Sequence, residues 1–168
     1  MSLPSWFWDT FSLSLKLTLL QEFGLAFLLG SFAVATLSDL KRLSAQREFI
    51  EIWLAFLVAM AFYDCYQVWA ASVVWQLPVV KWTLVVLFSI LSFRRVGVLF
   101  KLAPGDVAAL AAAASLLTPV LVIVFYLAAW LIAQGVRPLL ARGKPNWAFM
   151  PVVSLATVAV LAIGLLLA

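Results

Sequence analysis

The chain contains no histidine and a single cysteine, Cys65. Those absences remove whole classes of chemistry. One cysteine excludes an intrachain disulfide, a CxxC redox pair and a cysteine metal cluster. Without histidine, a zinc or haem site lacks its usual ligands. A Ser-His or Cys-His nucleophilic pair cannot be built either. Charge is also scarce, at 11% of residues against roughly 25% in a soluble domain. Any chemistry must run on carboxylates, hydroxyls, lysine or backbone, with no metal and no organic cofactor expected.

Apolar surface takes the place of charge. Of the 168 residues, 67% are hydrophobic, too many for a water-soluble globule to cover, so the bilayer is the expected solvent. At about 20 residues per transmembrane helix, the length suits five to seven spans in one domain, 1–168. The net charge of +4 does not point to nucleic acid, because the basic residues fall between apolar runs, where orientation signals lie. No basic start precedes an apolar core at the N-terminus, so no cleavable signal is expected. Trp6, Phe7 and Trp8 suit a membrane interface, and residues 1–18 read as an interfacial segment.

Apolar runs predict spans from Leu17 or Phe23 to Leu37, Ile50 to Trp69 and Pro78 to Phe93. The 34 residues from Val107 to Leu140 exceed one span, and Pro119 is the expected break. That yields a short helix from Asp106 to Leu117 and a longer one from Pro119 to about Leu139. A last span starts at Trp147 or Phe149. The fold class is therefore all-α, a polytopic transmembrane bundle of about six spans. Nine of the eleven basic residues fall in alternate loops: Lys41, Arg42 and Arg47; Arg94, Arg95 and Lys101; Arg137, Arg142 and Lys144. The positive-inside rule places those loops in the cytoplasm and both termini outside. Lys16 and Lys81 are the two basic residues left on the other side.

Asp39 then lies at the cytoplasmic end of the first span, and Asp106 at the cytoplasmic start of the fourth. A helical bundle can bring together two carboxylates 67 residues apart in sequence when they share a depth. Partly desolvated and close to one another, they would share one proton. One can act as base on a water while the other polarises a peptide carbonyl. The plainer reading makes Asp106 the N-terminal turn of a helix and Asp39 a partner of Lys41 or Arg42.

The segment Ala103-Pro104-Gly105-Asp106 opening a short helix resembles the GxGD motif of membrane aspartyl proteases, with alanine at the first glycine. Ser38-Asp39-Leu40-Lys41-Arg42 resembles the first aspartate motif of type IV prepilin peptidases and archaeal preflagellin peptidases. Arg142-Gly143-Lys144-Pro145, followed by Ala148-Phe149-Met150-Pro151, resembles that family's C-terminal end. The resemblance spans about residues 20–168. It implies an aspartyl endopeptidase in the cell membrane that removes short basic leaders from prepilin-like or preflagellin-like substrates at the cytoplasmic face. Asp39 and Asp106 would be catalytic, supported by Ala103, Pro104 and Gly105. Where the family has an Ile-Pro-Asn-like stretch after the first aspartate, this chain has Ala45-Gln46-Arg47-Glu48-Phe49.

Glu48 and Glu51, near Asp39 in depth, either pair with Arg47, Lys41 or the helix N-terminus or contact a basic substrate segment. Phe62-Tyr63-Asp64 allows a presenilin-like or signal-peptide-peptidase-like pairing of Asp64 with Asp106. Against it, Asp64 lies roughly 21 Å along its helix from Ile50, near the external face. A contact to Gln67 or Lys81 is its plain alternative. Two non-peptidase readings also stand: a catalytically silent membrane scaffold, and a small transporter subunit using Asp64 and Glu22. Lipids are expected partners; nothing in the sequence sets the oligomeric state.

Overall fold

A computed structural model describes residues 16–42, 47–70, 72–141 and 148–166. Within them the chain forms six helices: α1 (Leu19–Arg42), α2 (Arg47–Trp69), α3 (Gln76–Ser92), α4 (Pro104–Ser115), α5 (Pro119–Ala141) and α6 (Met150–Leu166). No strand occurs among them, and pairing is limited to an isolated bridge between Phe93 and Leu102. The Trp6–Trp8 cluster, Ala45-Gln46 and Arg142-Gly143-Lys144-Pro145 lie outside the described residues.

Three helices, α1, α2 and α5, are long and apolar enough to cross a membrane; α3 and α6 are apolar but shorter, at 17 residues each. The protein is thus an all-helical, membrane-embedded bundle. α4 is different in kind. Its 12 residues extend about 18 Å at 1.5 Å per residue, against a hydrocarbon core of about 30 Å. It begins where Pro104 occupies the first helical position, a place that needs no N–H. It ends before Pro119, which opens α5. Between these two prolines α4 packs against all five other helices. Ala109 and Ala112 to Ala114 on it are fully buried.

Helices consecutive in the chain run in opposite directions. Phe32 of α1 meets Trp53 of α2 edge-on at 5.5 Å, and Phe27 stacks near Phe56. Trp53 Nε1 donates to Ser31 Oγ at 3.0 Å, so the buried indole keeps its hydrogen bond. α6 runs antiparallel to α1: Met150 meets Asp39 at one end, and Leu17 packs onto Gly164 at the other. A side chain at Gly164 would collide with Leu17. Thr36 and Ser154 bridge the same pair through their hydroxyls at 3.0 Å. In one respect the sequence expectation is corrected: α1 does not stop at Ser38 but continues in helical form to Arg42. Asp39, expected at the end of this span, sits in the last turns of the helix, held by its backbone.

Candidate active site

Three backbone termini and one loop converge on Asp39 and Asp106. Asp39, near the C-terminal end of α1, is only 5% exposed. The backbone N–H of Met150 donates to its Oδ2 at 3.1 Å, and that of Phe149 also bonds to the carboxylate. These are free donors at the first turn of α6, where the helix dipole favours negative charge. Asp39 thus closes the N-terminus of a helix far from it in sequence.

Asp106 occupies the first turn of α4. Ala103, just before the helix, has extended backbone (φ −71°, ψ 157°) and carries no side-chain cap. Asp106 reaches back to the Ala103 N–H instead, half of a capping box. Gly105, between them, is buried. Burial, and then the nearby charge of Asp39, push the Asp106 carboxyl up to about 7, and the Ala103 N–H offsets only part of that. Asp39 has two N–H donors and a helix terminus to stabilise a negative charge, whereas Asp106 has one N–H. Near neutral pH the Asp106 carboxyl therefore holds a proton part of the time.

Both aspartates line one cavity of about 500 Å³. Its far wall is the α3–α4 connection, folded back on itself by the Phe93–Leu102 bridge and by the left-handed Gly97 (φ 58°). Phe100 from that wall meets Phe149 edge-on at 5.2 Å. Arg94, Lys101 and Arg137 also line the cavity, with Gln134 beside them. Among the described residues none of these three cations has a carboxylate within ion-pair distance; the ion pairs there are Arg47–Glu51 and Lys81–Asp64.

The other sequence candidates fall elsewhere. Glu51 pairs with Arg47 at 2.8 Å on an exposed face, Glu48 is exposed, and neither lines the cavity. Asp64 forms an ion pair with the buried Lys81 and accepts a hydrogen bond from Trp82 Nε1 at 2.7 Å. Lys81 Nζ also donates to the carbonyl of Ser115, at the C-terminal end of α4. Nine helical steps separate Ser115 from Asp106, about 14 Å. Asp64 and Asp106 therefore belong to opposite ends of α4, and Asp39 is the carboxylate beside Asp106.

Sequence reasoning passed over the wall residues Gly97, Phe100 and Gln134, and treated Arg94 and Lys101 as orientation signals and lipid-headgroup contacts and Arg137 as an orientation signal. No local pattern marks them, because the bridge that folds the loop over the cavity joins residues nine apart with no motif between. Compared with known proteins, the chain matches no family model, and no curated protein or solved structure is significantly similar to it.

Proposed function

We propose that the protein is a membrane aspartyl endopeptidase, acting on prepilin-like or preflagellin-like substrates at the cytoplasmic membrane face. One observation carries the reading: two carboxylates from separate helices line a single cavity, where burial and the charge of Asp39 raise the Asp106 carboxyl. Ionised Asp39 takes a proton from a water, which attacks the scissile carbonyl carbon. Protonated Asp106 donates to the carbonyl oxygen as it gains charge. Asp39 then returns its proton to the departing amine, and Asp106 recovers its own as the carbonyl re-forms. The segments around Asp39 and Asp106 that resemble the prepilin and preflagellin peptidases support the substrate class.

The basic lining refines how such a substrate would sit. Arg94, Lys101 and Arg137 repel a basic leader, so the leader's charges stay outside the cavity. The residues at the cut bond, uncharged or acidic, are the ones that enter. Asp39→Asn and Asp106→Asn proteins, folded and in membranes, should each fail to cut a co-expressed prepilin-like reporter. Cleavage by either at the unaltered rate rules the mechanism out.

A second reading has an observation of its own. Asp39 caps α6 through two N–H groups, a structural task that needs no catalysis. A catalytically silent scaffold would keep that cap. It would leave the reporter intact after long incubation with the folded wild-type protein.

A further inference from the structure

α4 poses a mechanical problem. It is the innermost helix, and much of its surface is methyl groups: Ala108, Ala109 and the run Ala111 to Ala114 are all buried. Ridges of single methyls interlock shallowly with neighbouring grooves, so they resist rotation and axial sliding less than larger side chains would. Yet Asp106 is useful only if the helix holds it at the depth of Asp39. A fraction of a turn in either direction changes both its neighbour and its exposure to water.

The polar contacts at the other end answer this. The last carbonyls of a helix lack partners within it. Here the Ser115 hydroxyl donates to Ala112 O at 2.7 Å, while Leu116 N and Leu117 N donate to Ala113 O and Ala114 O. The remaining one, Ser115 O, receives Lys81 Nζ at 3.0 Å. Lys81 is 7% exposed, and its ammonium also meets Asp64 of α2. Asp64 is itself held by Trp82 of α3 at 2.7 Å. Two neighbouring helices are thus tied to the end of α4 by one directional chain, Trp82–Asp64–Lys81–Ser115. The ammonium also sits at the negative end of the helix dipole. Bringing a lysine and an aspartate into this interior is costly, and a merely space-filling pair would be as well served by apolar side chains.

We infer that Lys81, fixed by Asp64 and Trp82, is a positioning residue that locks the axial placement of α4 and so holds Asp106 beside Asp39. The inference rests on the proposed peptidase reading only for its activity readout, because the placement of Asp106 can be read without any substrate. Lys81 does not touch the cavity. It acts through the helix, from about 14 Å away.

The test uses the full-length protein in lipid nanodiscs. A hydrophobic carbodiimide reacts with protonated carboxyls, and labelling of Asp106 against pH is followed by mass spectrometry. In the wild-type protein half-labelling should fall near pH 7. Lys81→Met should move that midpoint down by a unit or more, as α4 slips, water enters and Asp39 recedes. Lys81→Arg, which keeps a cation able to reach Ser115 O and Asp64, should restore it. With a reporter peptide, Lys81→Met should lower kcat at least tenfold with KM within twofold. The double variant Asp64→Leu with Lys81→Met separates folding from positioning. It removes the buried charges together and should fold as well as wild type, yet keep the shifted midpoint. A folded Lys81→Met or double variant with an unshifted midpoint overturns the inference. A wild-type protein that labels as described but cuts no reporter overturns the peptidase reading and leaves the lock standing.

Discussion

The two ends of α4 use the same residue types to opposite purposes. At its C-terminal end one carboxylate, Asp64, meets one ammonium, Lys81, and the remaining hydrogen-bonding capacity goes to Trp82 and Ser115. Charge there is cancelled and buried. At its N-terminal end two carboxylates face one cavity with no cation paired to either among the described residues. Charge there is frustrated, and Asp106 responds by keeping a proton up to about pH 7. A cancelled pair gives rigidity; a frustrated pair gives a transferable proton. One short helix joins them, so the rigid end can hold the proton-bearing end in place.

The comparison breaks most sharply under neutralising substitutions. Asp39→Asn or Asp106→Asn should lower reporter cleavage by about 10²–10⁴-fold, the usual contribution of a positioned acid or base. Neither should depress stability as much as a change at the other end. Lys81→Met or Asp64→Asn, each leaving a buried charge alone, should destabilise the protein by about 3–5 kcal/mol. Unfolding in mixed detergent–denaturant series measures this. Equal losses at both ends would erase the contrast.

A smaller, graded effect comes from pH. The ordinary value of the Asp106 carboxyl is 3.8, and folding raises it to about 7. Between those values the folded state binds more protons than the unfolded one, so stability falls as pH rises across that window. Asp106→Asn should flatten that slope, as read from melting temperatures at pH 4, 5.5 and 7. Cleavage should fall about tenfold per unit above pH 7, as the shared proton is lost. An alkaline limb that begins two units higher would contradict the assignment of the proton to Asp106.

The smallest change tests packing at the rigid end. A Cβ on Gly24 of α1 would stand 2.8 Å from Leu116 Cδ2. Gly24→Ala should therefore cost about 1 kcal/mol, since the leucine tip can turn aside but leaves α1 and α4 less closely packed. It should leave the pH dependence of cleavage unchanged.

Local signals carried much of this. Pro119 announced the break between α4 and α5, and Pro104-Gly105 the start of α4, because proline restricts the chain wherever it stands. Apolar runs located the other helices to within a few residues. The end of α1 was missed because a charged pentapeptide reads as a boundary, although it can equally continue a helix past the apolar zone. Lys81, on the sparsely charged side, was foreseen as one of two contacts open to Asp64, and that contact forms. Its tie to Ser115, 34 residues away, has no local pattern to encode it.

By itself the sequence determined the solvent, the helical class, the chemistry excluded by the lack of histidine and of a second cysteine, and the two aspartates worth watching. These follow from composition and from short-range backbone rules. The tertiary structure decided which carboxylate stands beside Asp106, that Asp39 closes the N-terminus of α6, and that Asp64 belongs to Lys81. Those outcomes depend on how antiparallel helices align along their axes, and that alignment is set by long-range contacts such as Leu17 on Gly164 and Lys81 on Ser115.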